Sequence, residues 1–404
     1  MKPVILRELG SMEPLLPDLE MDRLAELSRT VFVETGALGA MVPAEPTRLE
    51  LARLLREMNS YYSNLIEGHK TLPRDIERAL NNQLSTDERK RHNQCLSAAH
   101  VRVETAMEER LRQEPELNIH SADFLCWLHR MFYQGLPEEL QSSRTVSGKS
   151  YRIEPGELRA FDVRIAGHTP PEHGHVPAFL ARFAQFYGSR TILPTQSLVA
   201  AASAHHRLTW IHPFGDGNGR VARLYSHAYL IREKVDGLGL WTLSRGLARF
   251  RDRYYERLAA ADGPRRNDLD GRGSLTARGL ADFCLFFLDV MQDQIRFMTG
   301  LLELPKLLER VERHTERDSP HITRHKTPLI RLLKAVIVEG LIERGRVSEI
   351  VGLRTSAARQ VTRLALEEGL AQSATPKGPL GIAFPAKVLD AYFPRLFLDL
   401  PLAE

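Results

Sequence analysis

Apolar residues recur every three to four positions along most of the chain, the period of a helix with one buried face. The spacing predicts helices in LEMDRLAELSRTVF (19–32), TRLELARLLREMNSYYSNLI (47–66) and STDERKRHNQCLSAAHVRVETAMEERLRQE (85–114). Ser85, with Glu88 three residues on, reads as a capping box for the third. Further helices are expected over 121–135, 175–188, 195–210, about 220–233, 244–261 and 275–316. One stretch, SGKSYRIEPGELRAFDVRIAGHTPP (147–171), departs from this period. Pro155-Gly156 marks a turn there, and Phe161, Val163 and Ile165 alternate as a short strand. It reads as a hairpin or flap on a helical body. After the polar, irregular RHTERDSPHITRHK (313–326) the pattern changes to helix, short helix, turn, helix and two short strands around Pro376-Lys377-Gly378-Pro379. That order is a winged helix-turn-helix. The fold class expected is mainly α. Three regions are expected: an N-terminal helical region 1–110, a core 111–316 with its flap at about 150–170, and a winged-helix domain 325–404.

Composition narrows this picture modestly. A 404-residue chain is long for one core, so two or three domains are expected. A net charge of +4 does not by itself argue for nucleic acid. Cys95, Cys126 and Cys284 form no CxxC pair, which fits a reducing compartment and no structural zinc. MKPVILRELGSMEP has no long apolar run, and no stretch of membrane-spanning length is visible, so a cytoplasmic protein is expected.

The chemistry concentrates in HPFGDGNGRVAR, residues 212–223. Gly217, Asn218 and Gly219 open a helix, where unpaired backbone N–H groups and the helix dipole favour an anion. Arg220 and Arg223, three apart, share a helix face and can reach a polyphosphate. Asp216 offers the hard oxygen that Mg²⁺ bound to phosphates prefers. His212 can accept a proton near neutral pH, and Phe214 is expected to point inward as an anchor. The plain alternative is a glycine-rich turn between helices. It would not require His212, Asp216 and both arginines at these spacings.

The segment resembles the signature of the Fic family, HxFx(D/E)GNGRxxR, and matches every fixed position. The resemblance implies Mg²⁺-dependent transfer of AMP from ATP to a Ser, Thr or Tyr hydroxyl of a target protein. It implies His212 as the base, Asp216 as the Mg²⁺ ligand, and Gly217, Asn218 and Gly219 as a phosphate cradle. Arg220 would take the β-phosphate and Arg223 the γ-phosphate. YYSNLIEGHKT, residues 61–71, resembles the family's inhibitory helix, (S/T)xxxE(G/N). In isolation it is a polar helix end, with Ser63 and Glu67 on one face and Gly68 as terminator. Beside the signature it implies an inhibitory helix at about 50–68, whose Glu67 pairs with Arg223 and displaces the γ-phosphate. A carboxylate there is also a candidate to orient water for AMP removal. Arg159, Phe161, Val163 and Ile165 fall in the segment resembling the flap that docks the target as an added strand. Tyr254 and Tyr255 point in different directions on a helix resembling the adenine wall. Tyr255 is taken as the contact and Tyr254 as core.

Other features carry less. His168, His173 and His175 read as a solvated loop rather than a metal site, and His205 and His206 as packing residues. Arg354, Arg359 and Arg363 lie on or beside the second helix of the winged unit, where they could meet DNA phosphates or serve a protein-docking module. The competing reading is therefore a nucleotide-sensing, DNA-binding transcription regulator. The family resemblance implies a homodimer, self-modification is a further candidate reaction, and no membrane partner is expected.

Overall fold

The computed structural model describes residues 6–144, 150–165, 167–189, 192–318, 322 and 324–398. The chain begins with α1 (Met21–Ala40), α2 (Glu45–Ile66), α3 (Pro73–Leu80), α4 (Glu88–Gln113) and α5 (Ala122–Tyr133). Two short strands, β1 (Ser142–Arg144) and β2 (Ser150–Arg152), pair antiparallel with Ser143 opposite Tyr151. Then come α6 (Val176–Tyr187), α7 (Ser197–Ile211), α8 (Asn218–Arg232), α9 (Leu243–Arg249), α10 (Arg251–Ala261), α11 (Ala277–Leu302) and α12 (Leu304–Arg313). The C-terminal part is α13 (Lys326–Glu339), β3 (Leu341–Ile342), α14 (Val347–Val351), α15 (Thr355–Glu367), β4 (Ala371–Gln372), β5 (Leu380–Ile382) and α16 (Leu389–Tyr392). β5 is central in its sheet, with β3 and β4 antiparallel on either side. The fold is mainly α with small antiparallel sheets, as expected. No described helix is long and apolar enough to cross a membrane.

Four local expectations are corrected. Asp87, not Ser85, caps α4: its carboxylate accepts from Lys90 N–H at 2.8 Å, while Ser85 Oγ accepts from Asp87 N–H. The 244–261 helix is two helices meeting at Phe250. The 275–316 helix breaks at Glu303 because Pro305 occupies the first turn of a new helix, where its missing N–H costs nothing. The strand expected at Phe161, Val163 and Ile165 is extended chain with a single bridge between Ile165 and His168. The hairpin lies earlier, at β1–β2. The expected flap at 150–170 falls partly outside the described residues, at Ala166.

Two apolar clusters organise the molecule. One contains Phe124, Leu128 and Phe132 of α5, Phe179 of α6, Trp210 of α7 and Tyr225 of α8. The other runs from Leu24 of α1 through Leu54 and Met58 of α2 and Phe287 of α11 to Leu332, Val361 and Leu396. The boundary expected at residue 110 thus falls inside α4, and α1 and α2 share a core with the helices that follow.

Candidate active site

α7 and α8 are joined by the glycine-rich loop, and the join is locally over-determined. His212 ends α7 in the left-handed conformation, φ 50°, with its N–H bonded to Leu208 O. Phe214 is fully buried and stacks on His129 with ring centroids 4.1 Å apart. Asn218 Oδ1 accepts from Phe214 N–H at 2.9 Å, and its amide donates to Phe214 O at 2.8 Å. That side chain braces the loop, and the Asn218 backbone N–H is left for a ligand. Gly217, at φ 78°, begins α8, and no side chain caps it. A Cβ there would meet the Tyr133 ring at 2.8 Å. The first N–H groups of a 15-residue helix therefore open onto the loop.

The charged residues gather around this opening. Asp216 Oδ1 accepts from Gly217 N–H at 2.7 Å and Oδ2 from Tyr133 OH at 3.1 Å, with Arg220 Nη2 3.6 Å away. Burial alone would raise the Asp216 pKa, but Arg220 and these hydrogen bonds outweigh it and hold the carboxyl below its usual range. An ionised carboxylate that is still partly exposed beside a helix N-terminus fits Mg²⁺ shared with phosphate oxygens. Arg220 lies over the Phe132 ring, and its Nε and Nη1 are buried without a hydrogen-bond partner among the described residues. An anion would satisfy them.

Arg223 is differently placed. Its Nε donates to Ser63 Oγ at 2.9 Å, and Nη2 donates to Ser63 O at 3.0 Å and Glu67 Oε1 at 2.6 Å. Burial pushes the Glu67 pKa up, while Arg223 and then Arg220 outweigh it, so the carboxyl stays ionised. α2 ends here: Gly68 at φ 86° and His69 send their N–H groups back to Leu65 O and Asn64 O. A Cβ on Gly219 would strike the Glu67 carboxylate, so glycine is what lets α2 and α8 approach this closely.

His212 is half-buried beside the opening. Burial first, then the nearby Arg159 and His168, lower its pKa to about 4, so the imidazole is neutral at physiological pH. Arg159, expected in the target-docking flap, turns its side chain inward. Its side chain is buried and donates to His212 O (2.9 Å), Phe161 O (3.0 Å) and Pro171 O, bracing the loop from behind. Phe161 meets the Tyr151 ring edge-on at 4.5 Å, Val163 is half-buried and Ile165 is exposed.

His212, Asn218, Gly219, Arg223 and Glu67 line one cavity of about 700 Å³, within the ~300–1,000 Å³ usual for small-molecule sites. Its far wall is Tyr254, Tyr255, Leu258, Ala259, Asp262, Gly263 and Pro264. Tyr254 is buried, its OH 2.7 Å from His205 Nε2, while Tyr255 is 41% exposed and bonds Ile66 O. His168 also lines the cavity, its Nε2 donating to Trp210 O, rather than lying in a solvated loop. Sequence reasoning missed Tyr133, His129 and Tyr151. Tyr151 OH donates to Gly215 O at 2.6 Å, and His129 joins Gly156 N–H to the signature loop. On an apolar helix, His129 and Tyr133 carry no signal that separates them from core.

Residues 118–230 match the model of the Fic/DOC family. This segment belongs to the Fic/DOC family. The chain is 40% identical over 93 residues to the protein adenylyltransferase Fic of Drosophila erecta, and 37% identical over 97 residues to that of Aedes aegypti. These matches span 23% and 24% of this chain but only 19% of each relative. A crystal structure of a Fic family protein from Desulfovibrio desulfuricans G20 superposes with a TM-score of 0.51 at 17% identity. It covers 88% of this chain and 96% of that one, a likeness of fold. The Fic segment runs from just before α5 to α8. The residues facing its signature from outside, Glu67 and Tyr255, come from α2 and α10.

Proposed function

We propose that this protein is an Mg²⁺-dependent protein adenylyltransferase, restrained by its own Glu67. The observation that carries the reading is His212 lining the same cavity as an uncapped helix N-terminus and Arg223. The target's Ser, Thr or Tyr hydroxyl gives its proton to His212 as its oxygen bonds to the α-phosphorus of ATP. The bond to the β-phosphate bridging oxygen breaks, and pyrophosphate leaves. Arg220, with two unsatisfied donors, takes the β-phosphate, and the α8 N–H groups of Gly219 and its neighbours hold phosphate oxygens. Asp216 would hold Mg²⁺, which when bound neutralises phosphate charge and stabilises the leaving pyrophosphate. Tyr255 is assigned to the adenine wall. The extended chain at Phe161, Val163 and Ile165 has no partner strand among the described residues, which suits a docked target strand.

Arg223 is the natural γ-phosphate ligand, but three hydrogen bonds from α2 occupy it. ATP bound without that contact presents its α-phosphate out of line. The same ionised Glu67 could orient water onto an AMP ester, releasing AMP and the target hydroxyl. The test uses ATP labelled at the α-phosphate, Mg²⁺ and cell lysate. Glu67→Gly should label proteins at least roughly ten-fold more than wild type, the effect of about 1.4 kcal/mol, and adding His212→Ala should abolish it. Equal labelling in wild type and Glu67→Gly would sink the autoinhibition. Labelling that survives His212→Ala would sink the assigned base.

A second reading, DNA binding through the C-terminal unit, is favoured by one observation. The unit has the element order of a winged helix, and Arg354, Arg359 and Arg363 are exposed with no ion pair among the described residues. The latter two line a cleft of about 660 Å³ with Arg344 and Lys377. A salt-sensitive shift of duplex DNA, weakened by Arg359→Ala, would support it.

A further inference from the structure

Behind the signature helix, α4 and α8 bury a second polar cluster. Glu104 and Glu108 lie one turn apart on α4, and His227 lies one turn beyond Arg223 on α8. One potential ligand atom from each of Glu104, Glu108 and His227 lies within 4.8 Å of the other two. His227 Nε2 is 3.4 Å from Glu108 Oε1 and 3.7 Å from Glu104 Oε1. Both are long for a charge-assisted N–H···O bond, which closes to about 2.7–2.9 Å. They are close to the ~3.3–3.4 Å edges of a tetrahedral shell with metal–ligand bonds of ~2.0–2.1 Å. The second oxygen of each carboxylate is already oriented: Asn59 Nδ2 donates to Glu104 Oε2 at 2.7 Å and Arg56 Nη1 to Glu108 Oε2 at 3.0 Å. Outer hydrogen bonds of this kind aim ligating carboxylates.

A further group faces the cluster. His100, one turn before Glu104, is completely buried. Its Nδ1 sits 3.4 Å from Glu104 Oε2 without hydrogen-bond geometry, and its Nε2 has no partner among the described residues. Burial would lower the His227 pKa, but its hydrogen bond to Glu108 and the Glu104 and Glu108 charges outweigh it and raise it to about 9, so a metal ion binds here by displacing that proton. One N–H shared between oxygens at 3.4 and 3.7 Å serves neither well. Access runs from the solvent side, where the Glu108 side chain is 24% exposed against 3% for Glu104.

We propose that Glu104, Glu108 and His227 form a binding site for a divalent transition ion such as Zn²⁺, with water completing the shell. An imidazole and two carboxylates suit Zn²⁺ better than Mg²⁺. This departs from the expectation, drawn from the cysteines, of no structural zinc. The ion staples α4 to α8 one turn from Arg223, and through Arg56 and Asn59 it reaches α2. The site is separate from Asp216 and does not depend on the transferase reading.

The full chain, stripped with chelator, is titrated with Zn²⁺ without nucleotide, and bound metal is counted by mass spectrometry after gel filtration. Wild type and Asp216→Asn should each hold about one equivalent, and His227→Gln, with unchanged circular dichroism, should bind at least roughly ten-fold more weakly. Wild type without bound metal, equal binding by His227→Gln, or loss of binding in Asp216→Asn would each overturn the proposal. If His227→Gln does not fold, Co²⁺ on wild type decides. Visible bands of four- or five-coordinate Co²⁺ are expected, and the weak spectrum of six-coordinate aqueous Co²⁺ would refute the site.

Discussion

At the scale of the residue, the behaviour of His212 is set by what surrounds it. Burial and two neighbouring basic groups hold its pKa at about 4. His129 is also held at about 4 and His205 at about 3, each chiefly by burial. These folded values lie below the ordinary ~6.5 of an unfolded histidine. The stability they contribute is therefore present above about pH 6.5 and drains away as pH falls toward 4, because only the unfolded chain binds the protons. Denaturant midpoints should drop over that window. Labelling by Glu67→Gly should meanwhile show no acid limb centred near about pH 6.5, since His212 stays neutral there. A rate that halves at that pH would show that His212 titrates as an ordinary imidazole. His212, Asp216, Arg220 and Arg223 were legible because their spacing has a chemical reason. Tyr133 was not, since an aromatic on an apolar helix looks like core until its hydroxyl is seen between Asp216 and Arg220. The bracing role of Arg159 was hidden for a related reason. Nothing in a polar stretch marks an arginine as buried, and only the folded chain shows three carbonyls converging on it.

At the scale of the element, α2 is the unusual one. From Glu57 to Ile66 every residue is buried, polar ones included. Asn59, Ser60 and Asn64 each donate to a partner, and Ser63 accepts from Arg223. Amphipathic periodicity predicts one buried face, so the sequence pattern understates how enclosed this helix is. Its Ser63 hydroxyl is one of three contacts on Arg223, and a hydrogen bond to a charged group is worth about 1.5–3 kcal/mol. Ser63→Ala should loosen the latch without removing the Glu67 charge. Labelling with α-phosphate-labelled ATP should rise above wild type but stay below Glu67→Gly, and a level equal to wild type would leave Glu67 alone responsible. The breaks at Phe250 and Glu303 teach a different lesson. Helix-forming composition continues across both. Pro305 was visible as a stop signal, whereas nothing local marked Phe250.

At the scale of the whole molecule, α2 joins the two ends of the chain. Toward its start, Thr47 Oγ1 donates to Ile337 O at 3.0 Å, and Gln372 Nε2 donates to Glu50 Oε2 at 3.0 Å. Toward its end, Tyr62 OH donates to Leu396 O and accepts from Leu398 N–H, while Arg245 of α9 donates to Leu396 O and Arg395 O. The sequence reading separated residues 325–404 because the element pattern changes there. It could not show that the apolar faces of α2 and α13 enter one cluster. A shared core and a shared helix mean that the C-terminal unit cannot lose its packing without exposing α2, and α2 carries the residues that hold Arg223. Unfolding should therefore be cooperative across the chain. Calorimetry should give one transition, with Tyr62→Phe lowering its midpoint rather than splitting it. Two resolved transitions, the lower belonging to residues 325–398, would mean that the contacts along α2 are too weak to couple the halves. In the cooperative case, whatever engages the arginines of α15 acts on the same body that positions Glu67, and the restraint on the active site is set by the packing of the entire chain.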